Sequence, residues 1–152
     1  MADECEFCRI AEGRDENTVL VYSDDTCVAF KDIRPVADYH YLVIPHEHIR
    51  TIEYISYDSA KPLLEHMKKV GHQVLQKILT EAGVDFKEAE ARLGFHWPPY
   101  ISVWHLHMHC IYPGNGIYCD WDRQVFTPNS SAFSSVEETL ERIEGRKPKR
   151  RK

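Results

Sequence analysis

Trp104-His105-Leu106-His107-Met108-His109-Cys110 decides the reading of this chain. Three histidines alternate with bulky apolar residues, and the two sets separate at a period of two and not at 3.6, which predicts a strand. Side chains along a strand change face at every residue. His105, His107 and His109 therefore line one face, about 7 Å apart at the usual rise. Trp104, Leu106, Met108 and Cys110 line the other, which reads as core. Imidazole is a nucleophile, an acid or base near neutral pH, and a metal ligand. The row therefore predicts a metal site, a covalent-catalysis site or both. The plain alternative, a solvent-facing polar strand, is normally written in Thr, Lys, Glu or Ser.

Ser102 opens this strand, behind a proline- and aromatic-rich loop, Gly94-Phe95-His96-Trp97-Pro98-Pro99-Tyr100, that reads as a pocket wall. A short strand is predicted at 90–94. Before it, Leu63, Leu64, Met67, Val70, Gly71, Val74, Leu75, Ile78 and Leu79 recur on one face of a long helix over 58–82. Pro62 suits its first turn, and Gly83 its end. His66 and His72 fall near its polar side and take no role. Residues 39–45 form a strand closed by Pro45, and His40 within it reads first as a hydrogen-bonded core histidine. His48 beyond it is a candidate ligand, and His46 an exposed residue. Residues 18–22 and 26–30 form a hairpin around Ser23-Asp24-Asp25. Asp32 then stands at a strand end, as a turn cap or as an acceptor for a ligand's hydroxyls. Cys5-x-x-Cys8 is half a zinc site, a redox pair or chance. After the histidines, residues 113–116 turn the chain, and Tyr118 to Phe126 reads as a last strand or an extended arm. Ser135-Val136-Glu137-Glu138 is a capping box for a short helix to about Ile143.

The 152 residues suggest one domain with a real core, over 1–144, followed by a basic tail over 145–152 that reads as disordered. The formal net charge is −5, and six cations lie in residues 146–152, so the body before them carries −11. An acidic body is no general nucleic-acid binder, although the tail leaves a nuclear-import or RNA contact open. No apolar run approaches the ~20 residues that span a membrane. The polar, acidic opening is no signal peptide, and five cysteines without one predict a reducing compartment. The expected location is cytoplasmic, with the nucleus open to the tail.

His105-Leu106-His107-Met108-His109 resembles the signature of the histidine-triad (HIT) family of nucleotide-binding hydrolases and transferases. Cys5-x-Phe7-Cys8-x-Ile10, Phe30-Lys31-Asp32-Ile33-x-Pro35 and His40-Tyr41-Leu42-Val43-Ile44-Pro45-x-x-His48-Ile49 resemble its landmarks in order and spacing. Gly94-Phe95-His96-x-Pro98-Pro99 is similar to one branch of its Hint members. The resemblance covers residues 5 to 113. It implies an α+β fold, a five-stranded, mainly antiparallel sheet with one long packed helix and a short C-terminal helix, and a homodimer that extends the sheet.

The same resemblance implies an adenosine 5′-monophosphoramidase, cleaving the P–N bond of adenosine phosphoramidates and releasing AMP. His107 would be the nucleophile, His109 would contact the α-phosphate, and His105 and His40 would form a supporting relay. Asp32 would hold the ribose hydroxyls, Ile33 and Phe30 would flank the base, and Ser102 would meet the phosphate or leaving group. Gly94 stands where some relatives carry Asn. No cofactor is required for this chemistry, while Cys5, Cys8, His48 and His105 would be the ligands of a structural zinc. Two alternatives stay open: a dinucleoside polyphosphate or aminoacyl-adenylate hydrolase, and a non-catalytic nucleotide- or zinc-binding adaptor.

Overall fold

The computed structural model describes residues 5–150; residues 1–4 and 151–152, and with them the outer ends of the expected domain and tail, lie outside. A short helix α1 (Glu6–Ala11) leads into the hairpin β1 (Leu20–Ser23) and β2 (Cys27–Lys31), then β3 (Tyr39–Pro45). The long helix α2 (Tyr57–Glu81) is followed by β4 (Arg92–His96) and β5 (Met108–Tyr112). Helix α3 (Asp120–Val125), the two-residue β6 (Phe133–Ser134) and helix α4 (Val136–Ile143) complete the chain. The strands form one sheet in the order β1-β2-β3-β5-β4-β6, with every neighbouring pair antiparallel.

The two sheet faces are both covered, which is why β2 and β3 read as continuous apolar runs. Cys27, Ala29, Tyr41, Val43, Met108 and Cys110 face α2 and its buried row of Leu64, Met67, Val70, Val74, Leu75 and Leu79. The alternate residues, Val28, Phe30, Leu42 and Ile44, face α1 through Phe7, Ile10 and Ala11. Each fully buried Leu or Met contributes about 1.5–3 kcal/mol. Helix α2 begins at its Ser56 cap, whose Oγ accepts from the Ser59 N–H at 3.3 Å. Pro62 therefore lies inside the helix and not in its first turn. Gly71 brings the helix onto the sheet: a Cβ there would lie 2.8 Å from Cys110 Sγ, Leu93 Cδ2 and Met108 Cε. Half of the box expected at α4 is formed: Ser135 Oγ accepts from the Glu138 N–H at 3.1 Å, but the Ser135 N–H donates to Asn129 Oδ1 at 3.2 Å and the Glu138 carboxylate accepts from Arg142.

Four expectations change. The sheet has a sixth strand, because Phe133 and Ser134 pair with His96 and Phe95 along the outer side of β4. Residues 94–96 consequently belong to β4, where a loop was expected. The stretch from Tyr118 to Phe126 is neither strand nor arm, since Asp120–Val125 is helical. The histidine stretch enters the sheet only at Met108. The β3–β5 register pairs Val43 with Met108, so two steps on Pro45 would face Leu106, and proline has no N–H to give. Residues 104–107 run outside the ladder, and Trp104 lies half-exposed under the Arg50 guanidinium, 4.7 Å from its ring, instead of in the core. Leu106, Met108 and Cys110 are buried as the alternation requires.

From Glu144 to Arg150 the chain has no helix or strand, and Lys149 donates its backbone N–H to the Glu53 carbonyl at 2.7 Å. Among the described residues no helix is long and apolar enough to cross a membrane. Replacing Gly71 by Val should lower the urea midpoint by the equivalent of about 1–3 kcal/mol, the usual cost of overpacking a core; an unchanged midpoint would mean that α2 shifts freely on the sheet.

Candidate active site

The sheet face turned away from α2 carries the histidines. His40 on β3 pairs in register with Ile111, and Leu42 with His109, so His40 and His109 share that face. Main-chain groups fix the protonation of each ring. The Val36 N–H donates to His40 Nδ1 at 3.1 Å, which leaves the His40 proton on Nε2. His40 Nε2 lies 2.8 Å from His109 Nδ1 and 3.3 Å from Asp32 Oδ2. His109 Nδ1 therefore accepts, and its own proton sits on Nε2. That Nε2 is buried and has no hydrogen-bond partner among the described residues. His107 Nδ1–H donates to the His105 carbonyl at 2.7 Å, leaving its Nε2 lone pair available. His105 Nε2–H donates to the Pro45 carbonyl at 2.9 Å, so its Nδ1 lone pair points elsewhere.

The imidazoles are neutral at physiological pH. Burial pushes His40 down to about 4, with the neighbouring His107 adding to the effect. Burial and the nearby His107, His40 and His96 rings hold His109 well below the usual histidine value. His107 is also lowered, chiefly by burial, against the opposing pull of its bond to the His105 carbonyl and of Asp32. Burial raises Asp32, and the Arg34 N–H bonded to Oδ1 at 2.8 Å works the other way. Asp32 is thus a turn cap through Oδ1, while its Oδ2 lies against His40 Nε2 at the cavity.

His107 and His109 open into a cavity of about 520 Å³, within the ordinary size range for small-ligand sites. Its apolar part is made by Phe7, Ile10, Phe30, Leu42 and Val103, and its rim by the exposed Ile33 and Ser102. Every expected catalytic and substrate residue except His105 lines it. Phe126 and His96 do so too and were not singled out as site residues. Phe126 stands edge-on to His96, His109 and His40 at 4.4, 5.0 and 5.8 Å. His96 lies 4.8 Å from the His109 ring, its Nδ1–H bonded to the Ala132 carbonyl at 3.1 Å. The Gly94-Phe95-His96 motif marked His96; nothing marked Phe126, because α3 was not read as a helix. Gly94 pairs with His109, and a Cβ there would lie 2.4 Å from the Ser134 carbonyl oxygen. Strand β6 fills the space that any side chain at position 94 would need.

His105 belongs to a second group beside the cavity. Its Nδ1 lies 3.4 Å from Cys5 Sγ, 3.4 Å from Cys8 Sγ and 3.2 Å from His48 Nδ1, and Cys8 Sγ lies 3.3 Å from His48 Nδ1. A tetrahedral zinc with sulfur and nitrogen ligands sets its donors roughly 3.3–3.8 Å apart. The Pro45 carbonyl accepts from the far nitrogen of the His105 ring and orients it, as carbonyls commonly orient metal-ligating histidines. Burial and the Cys5 sulfur push the Cys8 thiol up to about 12, so a thiolate there needs a cation beside it. The four residues fit a zinc ion. Of the remaining histidines, His66 and His46 bond Asp24 through its carboxylate and its carbonyl, and His72 lies 3.2 Å from Glu88.

Residues 4–123 match the family model described as the scavenger mRNA decapping enzyme C-terminal binding region. The chain is 36% identical over 140 residues, 92% of its own length and 87% of the relative's, to an adenosine 5′-monophosphoramidase HINT3 of Xenopus tropicalis. It belongs to the histidine-triad family. Another histidine-triad relative, a bifunctional adenosine 5′-phosphosulfate phosphorylase/adenylylsulfatase HINT4 of Arabidopsis thaliana, is 44% identical over 70% of this chain and 68% of its own. The solved histidine-triad hydrolase of Clostridium thermocellum superposes with a TM-score of 0.59 at 30% identity, over 72% of this chain and 90% of that one.

The neutral state of His40 has a consequence for stability. Its folded pKa is depressed, so as pH falls the unfolded chain takes up the proton first and the folded state loses ground. This loss is absent above about pH 6.5 and accrues between about 6.5 and 4, at roughly 1 kcal/mol per pH unit for this one ring. Urea titrations across that range should show the slope, and His40→Gln should flatten it by that amount. An equal slope in the variant would place the titration elsewhere.

Proposed function

We propose that this chain is an adenosine 5′-monophosphoramidase that works through a nucleotidyl-histidine. The observation that carries the reading is the opposed protonation of two adjacent rings at one cavity. His107 offers a lone pair at Nε2, and His109 offers an unpartnered N–H at its own Nε2. The first is a nucleophile at neutral pH, and the second a preorganised donor for charge that develops on a phosphoryl oxygen.

In the first step His107 Nε2 attacks the α-phosphorus. The P–N bond breaks, and the amine leaves with its electron pair and takes a proton from solvent at the cavity mouth. His107 keeps its Nδ1–H on the His105 carbonyl, so the positive charge of the nucleotidyl-imidazole is shared with that oxygen. His109 donates to a non-bridging oxygen, and His40 with Asp32 holds His109 in the donor tautomer. In the second step water attacks phosphorus and gives up a proton to solvent, the P–N bond to His107 breaks with its electron pair returning to Nε2, and AMP leaves. Phe30 and Ile33 would flank the base, Asp32 would take the ribose hydroxyls, and Ser102 on the rim would meet the phosphate or the leaving group.

Cys5, Cys8, His48 and His105 are proposed to hold one structural zinc, which would lock the N-terminal segment to the histidine stretch and take no part in either step. A sheet-extending homodimer would have the β1 edge, or the Arg92–Gly94 part of β4 that β6 leaves uncovered, to pair through. The reading carries a cytoplasmic location, with the basic tail a candidate nuclear signal. A second reading, cleavage of an adenylyl ester or mixed anhydride, is favoured by the activities named for the Arabidopsis relative, and the same two rings would serve it.

AMP release from adenosine 5′-phosphoramidate should be abolished in His107→Ala while AMP binding persists, and it should survive a chelator. Unchanged turnover in His107→Ala removes this residue as nucleophile; an inactive wild-type chain that binds AMP shifts the assignment to the second reading. Elemental analysis of protein purified without chelator should give about one zinc per chain, and a value near zero sinks the zinc assignment.

A further inference from the structure

Helix α1 belongs to both sites. Cys5 is its cap, with the sulfur accepting the Cys8 N–H at 3.3 Å, and Cys8 lies within it. Phe7, between them, is 6% exposed and lines the nucleotide cavity, as Ile10 does one turn on. The Phe7 ring stands edge-on to His107 at 5.3 Å and to Phe30 at 5.5 Å, and lies 6.1 Å from His105. The cavity wall that meets the nucleophile is therefore the segment that carries two of the four candidate metal ligands. A third ligand, His105, supplies the carbonyl that holds His107.

A six-residue helix does not persist by itself, since isolated helices shorter than about 12–15 residues are marginal in water. Two things hold α1 down: the small apolar cluster of Phe7, Ile10 and Ala11 on β2 and β3, and the sulfurs converging on His48 and His105. Loosening the second set leaves the wall to the first alone. A nucleotide entering a loosened cavity must then supply the ordering free energy of α1 from its own binding.

We propose that the Cys5/Cys8/His48/His105 cluster and the nucleotide cavity are coupled, so that a thiophilic divalent cation in the cluster raises affinity for a purine nucleoside monophosphate, with Phe7 as the positioning residue that joins them. The proposal rests on the zinc and nucleotide readings above. Coupling of this kind is reciprocal: the factor by which zinc tightens nucleotide binding equals the factor by which nucleotide tightens zinc. The full chain, stripped and then reloaded with zinc, allows both to be measured. AMP affinity is read by calorimetry with and without zinc, and zinc affinity by competition with a chromophoric chelator with and without saturating AMP. Both should change by one common factor of at least about fivefold, the lower end of ordinary allosteric couplings. Phe7→Ala should bring the factor toward one, and because it also loosens α1 it should lower zinc affinity in AMP-free protein. Phe7→Leu, which keeps apolar volume on β2 and β3, should retain an intermediate factor.

Zinc and AMP that each bind with affinities indifferent to the other overturn the coupling alone. A chain that takes up no zinc overturns the metal reading and the coupling together, and a zinc-loaded chain that binds no AMP does the same for the nucleotide reading. An undiminished factor in both Phe7 variants removes Phe7 as the link. Loss of the far-UV circular dichroism of α2 on stripping also overturns the proposal, because the whole fold, and not the wall, would then respond to the metal.

Discussion

Each imidazole of the site has one nitrogen committed to a main-chain or neighbouring group, and the chemistry depends on which one. The Val36 amide can only donate, so His40 must accept at Nδ1 and donate at Nε2, and His109 must in turn present its N–H to the cavity. The His105 carbonyl can only accept, so His107 must place its proton on Nδ1 and keep a lone pair at Nε2. Neutral histidines could otherwise adopt either tautomer. Burial, which holds all these rings below their ordinary pKa, removes the third option of carrying both protons.

The sheet makes this arrangement possible by having two buried faces. One is occupied by α2, brought close by Gly71, and gives the fold its main apolar core. The other is shared by α1, the histidines and the segment around α3, and is only partly filled, so that a cavity is left between Phe7 and Phe126. The same proline that ends β3 releases the histidine stretch from the ladder and supplies the carbonyl for His105. A fully laddered strand would have committed the main chain around His105 and His107 to β3. Released from it, the stretch can turn one ring toward the cysteines and the next toward the cavity.

Much of this was legible from residue order. The long helix lies over Tyr57–Glu81 against a reading of 58–82, and the hairpin and the strand at 39–45 stand where period two and turn residues put them. The four-residue Cys/His group was legible through the family resemblance, and its atoms do converge. The less regular parts were not legible. Helix α3 is short and mostly polar, with no apolar periodicity to announce it, so nothing singles out Phe126 at its end as a site residue. Strand β6 has two residues, too few for any alternation, and it alone explains why glycine stands opposite His109. Trp104 obeyed the alternation by sequence but lies beyond the point where the strand pairs, so the rule no longer binds it.

The sequence by itself determined the long helix, the hairpin and the strand at 39–45, the alternation that buries Leu106, Met108 and Cys110, and the presence of five histidines and two cysteines at chemically suggestive spacings, because these follow from local periodicity and residue chemistry. Only the tertiary structure decided which nitrogen of each ring is free, that His105 turns to Cys5 and Cys8 while its neighbours turn to the cavity, and that Phe7 and Phe126 close the walls. Those outcomes depend on partners up to 100 residues away along the chain, such as Cys5 for His105, and no local pattern encodes such a contact.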